Sequence, residues 1–167
     1  MPTKLVQISH VVILTEFAKK YPAPSVALAP EVIGAFNSGE RLKERAADCI
    51  GILGLANPEA MKSAVPGLIK GLESKSSELR KASATALGRI GSKNAMVVFH
   101  AVPKLAKALK NEDWYVHTEV VKALGYIGSN KPTLVKPHLA LIENRTKTGA
   151  DRKICDAAKW ALKKAGG

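Results

Sequence analysis

The chain has 167 residues, 46% of them hydrophobic but only 5% aromatic, and 26 Lys or Arg against 14 Asp or Glu give it a formal net charge of +12. A chain of this size buries its own core without disulfides or metal, and Cys49 and Cys155 match no metal or redox spacing, which excludes a disulfide-framed secreted scaffold and fits a reducing cytoplasm. The aromatic-poor, aliphatic mixture favours packed helices over a β-sandwich, and no run of ~18 apolar residues is present to form a transmembrane helix.

Residues 3–20 set Leu5, Ile8 and Val12 at helical spacing and end before Tyr21, Pro22, Ala23 and Pro24. They predict an N-terminal capping helix within a segment 1–25. The apolar run 11–14 meets Glu16, Lys19 and Lys20 at once, without a small-residue cleavage site, so it is neither signal peptide nor membrane span.

From there one pattern recurs. Residues 42–54 superpose without a gap on 79–91, which lie 37 residues later, and the same frame returns at 116–128 and 154–166. Counting the first residue of each copy as zero, positions 0, 4, 7, 8 and 11 are small or apolar, for example Leu79, Ser83, Ala86, Leu87 and Ile90. At ~100° per residue these positions form one stripe, so each copy is an amphipathic helix, here called a B helix. Gly39, Ser76, Asp113 and Asp151 stand three residues before the copies as N-cap candidates. Gly54, Gly91, Gly128 and Gly166 stand at the far ends as candidates for left-handed helix closure.

A second helix, A, precedes each copy and is opened by Pro30, Pro66, Pro103 and Pro137, with Val32, Leu68, Leu105 and Leu139 two residues on. A two-helix hairpin of this length cannot bury both faces alone, so neighbouring hairpins must stack into a solenoid. The reading divides the chain into repeats at 26–64, 65–101, 102–136 and 137–167.

Two-helix units of this period resemble HEAT repeats, although the ~40–47-residue period of that family is slightly longer. The resemblance covers residues 26 to 167. It rests on the proline in helix A, a polar turn residue such as Asp113, a basic residue early in helix B such as Arg80, and the Ala-Leu-Gly-x-Ile-Gly endings at 86–91 and 123–128. Those endings also resemble the HEAT-like repeats of bacteria and archaea that are related to phycobilin lyases. The ankyrin and tetratricopeptide signatures are absent, and the first and last repeats depart from the pattern in the turns 37–40 and 144–150. The implied fold is all-α: a right-handed α–α superhelical solenoid of about four HEAT-type hairpins plus an N-terminal helix. The implied role is a non-catalytic scaffold that binds a protein partner along its concave face.

In solenoids of this family the B helices line that concave face. Positions 2, 6 and 10 of each copy point away from the core, and they form a ridge from Glu44 and Asp48 in the first repeat to Lys81, Arg89, Lys122, Tyr126, Trp160 and Lys164 in the last three. Cations among aromatic rings suit a polyanion, so nucleic acid is the alternative partner. Residues 131–167 alone carry nine Lys or Arg against three Asp or Glu. Lysines outnumber arginines twenty to six, however, where specific nucleic-acid faces lean on arginine. Trp114 and Tyr115, following Asn111, Glu112 and Asp113, are a second contact candidate in a turn, as in tubulin-binding TOG domains. A helix B ending at 165–167 without a polar capping helix suggests a homo-oligomer through the C-terminal repeat, or a longer parent chain.

Catalytic and metal residues are not found, and no cofactor is expected. His10, His100, His117 and His138 occupy unrelated repeat positions, and Cys49 fills a core position held elsewhere by alanine. A HEAT-like DNA glycosylase would need an acid in a basic, aromatic groove. Asp156 beside Trp160 and Lys122 is the nearest approach, and its spacing is unspecific.

Overall fold

The computed structural model describes residues 4–38, 40–110, 114–147 and 152–166, and among these it contains helices and turns but no strand. The B layer consists of α1 (Lys4–Lys20), α4 (Glu40–Ala56), α6 (Ser77–Lys93), α8 (Trp114–Asn130) and α11 (Arg152–Gly166). Each packs on the next in chain order. The A layer holds α2 (Pro22–Ser25) with α3 (Ala29–Ser38), α5 (Val65–Gly71), α7 (Val102–Ala108), and α9 (Pro132–Val135) with α10 (Leu139–Lys147). α3 packs on α4, α5 on α6, α7 on α8 and α10 on α11, so the hairpins stack in chain order as a solenoid.

The core is the predicted stripe. Leu79, Ser83, Ala86, Leu87 and Ile90 of α6 are buried, as are their equivalents in α4 and α8. In α11 the equivalent Leu162 is only half-buried, because nothing in the described chain stacks beyond it. α1 supplies Val11 and Ala18 to the same core while Ile13 and Phe17 stay exposed on its opposite side. It thus packs on α4 as a fifth member of the B layer.

The helix ends differ from expectation. Gly54, Gly91 and Gly128 do not close their helices, which run on to Ala56, Lys93 and Asn130 without a left-handed residue. Closure falls instead to an extended residue such as Asn94 (φ −147°, ψ 100°) or Lys131 (φ −142°, ψ 88°). The Asn94 side chain then accepts from Met96 N at 3.0 Å and donates to Glu59 at 2.8 Å, tying one repeat to the previous one. Among the N-cap candidates, Ser76 accepts from Leu79 N at 3.2 Å as expected. Gly39, Asp113 and Asp151 lie outside the described residues, as do the side chains of Leu5 and Ile8.

The glycines serve packing. A Cβ on Gly51 would lie 2.9 Å from Ala86 Cα, one on Gly88 2.7 Å from Ala123 Cα, and one on Gly125 2.9 Å from Ala161 Cα. Gly54, Gly91 and Gly128 make room in the same way for Ile90, Ile127 and Ala165. Paired small residues therefore set the distance between successive B helices, and Ala at position 7 belongs to the same contact. In α11 the exposed Lys163 stands where the earlier B helices carry Gly51, Gly88 and Gly125.

Helix A also begins differently from the proline rule alone. A 3-10 turn leads into each one: Val26–Leu28, Glu59–Ala64, Ala95–Ala101 and Lys136–His138. Pro66 and Pro103 sit in the first turn of α5 and α7, as their missing N–H permits, whereas Pro137 lies in the 3-10 turn before α10.

Candidate binding groove

The outward positions of the B helices line a groove rather than a bare solvated ridge. One cavity of ≈ 220 Å³ lies between α1, α4 and α6 and is bounded by Thr15, Glu16, Lys19, Arg45, Asp48 and Arg89. A second, of ≈ 330 Å³, spans α4, α6 and α8 and is bounded by Leu55, Thr85, Arg89, Glu119, Lys122 and Tyr126. Arg89 belongs to both and marks their junction. The missing side chain of Gly51 lets this happen, since a Cβ there would come 3.2 Å from Arg89 Cδ. The arginine stem lies across α4, so one residue of the second repeat reaches the wall of the first.

Charges in the groove are largely matched. Lys122 pairs with Glu119 at 3.0 Å, and the Thr85 hydroxyl donates to the other oxygen of that carboxylate at 3.4 Å. Burial pushes the Asp48 carboxyl above its ordinary range, while Arg89, Lys19, Arg45 and Lys81 around it pull the other way. The Lys81 ammonium stands 4.7 Å from the Tyr115 ring centre and donates to the Tyr115 hydroxyl at 3.4 Å. Arg89, half-buried at the junction, makes no ion pair or side-chain hydrogen bond among the described residues.

The predicted ridge is thus partly assembled. Lys81, Arg89, Lys122 and Tyr126 come together on α6 and α8. Trp160 meets Tyr126 edge-on, with centroids 4.9 Å apart at 69°, and its half-buried ring sits against Gly125. Lys164 is exposed on α11 and bounds neither cavity. The expected gradient from acidic to basic does not hold, because Lys19 and Arg45 surround Asp48 with cations from outside positions 2, 6 and 10. Tyr115 does not lie in a turn but in the first turn of α8, and Lys81 draws it into the same surface. The Trp114 side chain lies outside the described residues.

Sequence reasoning missed Lys19, Arg45, Leu55 and Glu119. Arg45 and Glu119 share position 3 of their copies, at the edge of the stripe, and the i, i+3 spacing of Glu119 and Lys122 was the available signal. Lys19 had none, since α1 lies outside the repeat frame.

Other candidate chemistry is dispersed. Cys49 is fully buried, and burial pushes its thiol upward, which suits a packed side chain rather than a nucleophile. Asp156 is exposed and faces Arg152 at 4.0 Å, outside any buried pocket. Among the described residues no three His, Cys, Asp or Glu side chains gather as a metal site, and no helix is long and apolar enough to cross a membrane.

Fold and groove together define an α-solenoid whose B helices present a polar, cation-rich channel. The family model for HEAT repeats matches residues 65–163, more than half of the chain, and the chain belongs to the HEAT-repeat family. Its fold is similar to that of a designed armadillo repeat protein in complex with peptide (KR)4, at 20% identity and TM-score 0.77 over 92% of this chain and 73% of that one. It is also similar to an engineered protein solved by the Northeast Structural Genomics Consortium, at 22% identity and TM-score 0.69 over 86% of this chain and 63% of that one. A third similar structure is the complex of CpcE and CpcF of phycocyanin lyase from Nostoc sp. PCC7120, at 22% identity and TM-score 0.72, covering 99% and 61%. The chain spans less than two thirds of the length of the last two. Comparison with curated proteins returns no match.

Proposed function

We propose that this chain is a non-catalytic scaffold or adaptor that binds a protein partner through the concave face formed by its B helices. The observation that carries the reading is the pair of cavities joined at Arg89, a half-buried arginine that makes no ion pair or side-chain hydrogen bond among the described residues and adjoins the exposed apolar surface of Leu55 and Tyr126. Polar anchors beside apolar surface in a concave site are what recognition needs. The groove's other groups suit binding rather than reaction, since Glu119 is held by Lys122 and Asp48 is ringed by cations. Two of the similar structures hold a second chain, one a peptide and one a partner subunit, which supports a protein partner for this fold.

Nucleic acid is the second reading, favoured by the net charge of +12. Two features speak against it. Trp160 meets Tyr126 by its edge and leans on Gly125 instead of offering a free stacking face, and Asp48 and Glu119 place carboxylates in the path of a phosphate backbone.

Photo-cross-linking tests the choice. A benzoylphenylalanine in place of Thr85, in the groove, is expected to capture a discrete protein from extracts of the source cells. The same residue in place of Lys107, exposed on α7, should not. Identical products from both positions would remove the concave-face reading, and adducts that nuclease destroys would favour the nucleic-acid one.

A further inference from the structure

Resting on that reading, we propose that the occupant is an acidic peptide segment carrying one aliphatic side chain, with a carboxylate pairing with Arg89 and the aliphatic group entering between Leu55 and Tyr126. The charges select the sign. Lys19, Arg45, Lys81, Arg89 and Lys122 face Glu16, Asp48 and Glu119, so the groove keeps a positive surplus. Lys19 is spent on Glu16 and Lys122 on Glu119, and Lys81 stands over Tyr115, whereas Arg89 acts on Asp48 through its charge but makes no ion pair or side-chain hydrogen bond among the described residues. A planar, weakly hydrated guanidinium held half-buried is suited to a bidentate carboxylate.

The shape selects the apolar group. A cavity of ≈ 330 Å³ is too small to enclose a helix ~10–12 Å across, and it admits one side chain of a segment lying along the groove. Leu55 is 41% and Tyr126 42% exposed, on helices either side of α6, and together they give an aliphatic group apolar surface to cover. A nucleic acid would use the same cations and could lay a base against Tyr126, but Asp48 and Glu119 stand in the path of its phosphates. The field of the whole chain, at +12, further favours an acidic partner over a basic one.

The probe is a labelled dodecapeptide of glutamates around one central leucine, followed by anisotropy at about 0.15 M salt. Three companions are measured with it: the peptide with serine for leucine, the peptide with lysines for glutamates, and oligo-dT. The acidic leucine peptide is expected to bind, its serine version about tenfold more weakly, and the lysine version not at all. Arg89→Gln should weaken the acidic peptide by about tenfold or more, and Arg89→Lys should restore only part of the loss, since the charge returns without the fork. Leu55→Ser, at an exposed position, should bring the leucine and serine peptides to equal affinity, with circular dichroism confirming the fold of every variant. If Arg89→Gln fails to fold, the Leu55→Ser result decides.

Equal binding of acidic and basic peptides overturns the proposal. So does an acidic peptide indifferent to Arg89→Gln, or oligo-dT binding as tightly without regard to Leu55. Should the Thr85 cross-linker capture a protein while the acidic peptide fails to bind, the concave-face reading stands and this assignment of its occupant falls. Should both fail, both readings fall.

Discussion

The three inner B helices are each 17 residues long, whereas the A helices α3, α5, α7 and α10 run to 10, 7, 7 and 9 residues and begin from 3-10 turns of different lengths. The reason lies in what each layer touches. Successive B helices meet at backbone distance through Gly51, Gly88 and Gly125, so a change in length or register would break contact along the whole helix. In the A layer Gly34 has nothing within 4 Å of where its Cβ would be, and the closer approaches of Gly67 and Gly71 are to the side chains of Phe36 and Ser83 rather than to backbone. That layer covers the core from outside, and side chains such as Phe36 can adjust to differences in its length where backbone could not. Regularity is therefore concentrated where the groove is built.

The largest way to break this comparison is Gly88→Val. Its Cβ would fall 2.7 Å from Ala123 Cα, and backbone cannot swing aside as a flexible side chain does. We expect a loss of ~3 kcal/mol in urea unfolding, at the upper end for overpacking. A stability equal to the parent's would show that α6 and α8 part freely and that glycine does not set their spacing.

Ser76→Ala removes the side-chain acceptor for Leu79 N at the start of α6 and should cost ~1 kcal/mol. Gly34→Ala in the exposed middle of α3 should act in the opposite direction, adding ~0.5–1 kcal/mol by helix propensity alone. A destabilised Gly34→Ala would mean that the A layer is as tightly registered as the B layer.

The smallest effect concerns Asp48. Because burial raises its carboxyl above the ordinary value of 3.8, ionisation costs the folded chain more than the unfolded one. The stability that goes with the protonated carboxyl is complete below pH 3.8 and is lost as the pH rises through the folded value. At neutral pH Asp48→Asn should therefore melt above the parent, with the two curves converging below pH 3.8. The same variant is expected to bind the acidic leucine peptide more tightly, and a melting point lower than the parent's at pH 7 would show that the surrounding cations outweigh desolvation.

Much of the fold was legible in the residues. Hydrophobic stripes at helical period and an offset of 37 define B helices that cannot be stable alone, so Leu79, Ala86, Leu87 and Ile90 could be assigned to a core before any coordinates. The candidate site was legible only as columns. Lys81, Arg89, Lys122 and Tyr126 are outward positions of a repeating helix, and periodicity alone finds them.

Tertiary structure decided the rest, for one physical reason: a one-dimensional pattern states which way a side chain points but not what lies opposite. The glycines at 54, 91 and 128 read as helix stops because φ freedom is their local property, whereas their role here is to admit Ile90, Ile127 and Ala165 from the next helix. Whether Arg89 would be an isolated cation or the junction of two cavities depended on its stem crossing Gly51 in another repeat. The ring of Lys19, Arg45, Arg89 and Lys81 around Asp48 draws on three helices, and only their packing brings those charges together.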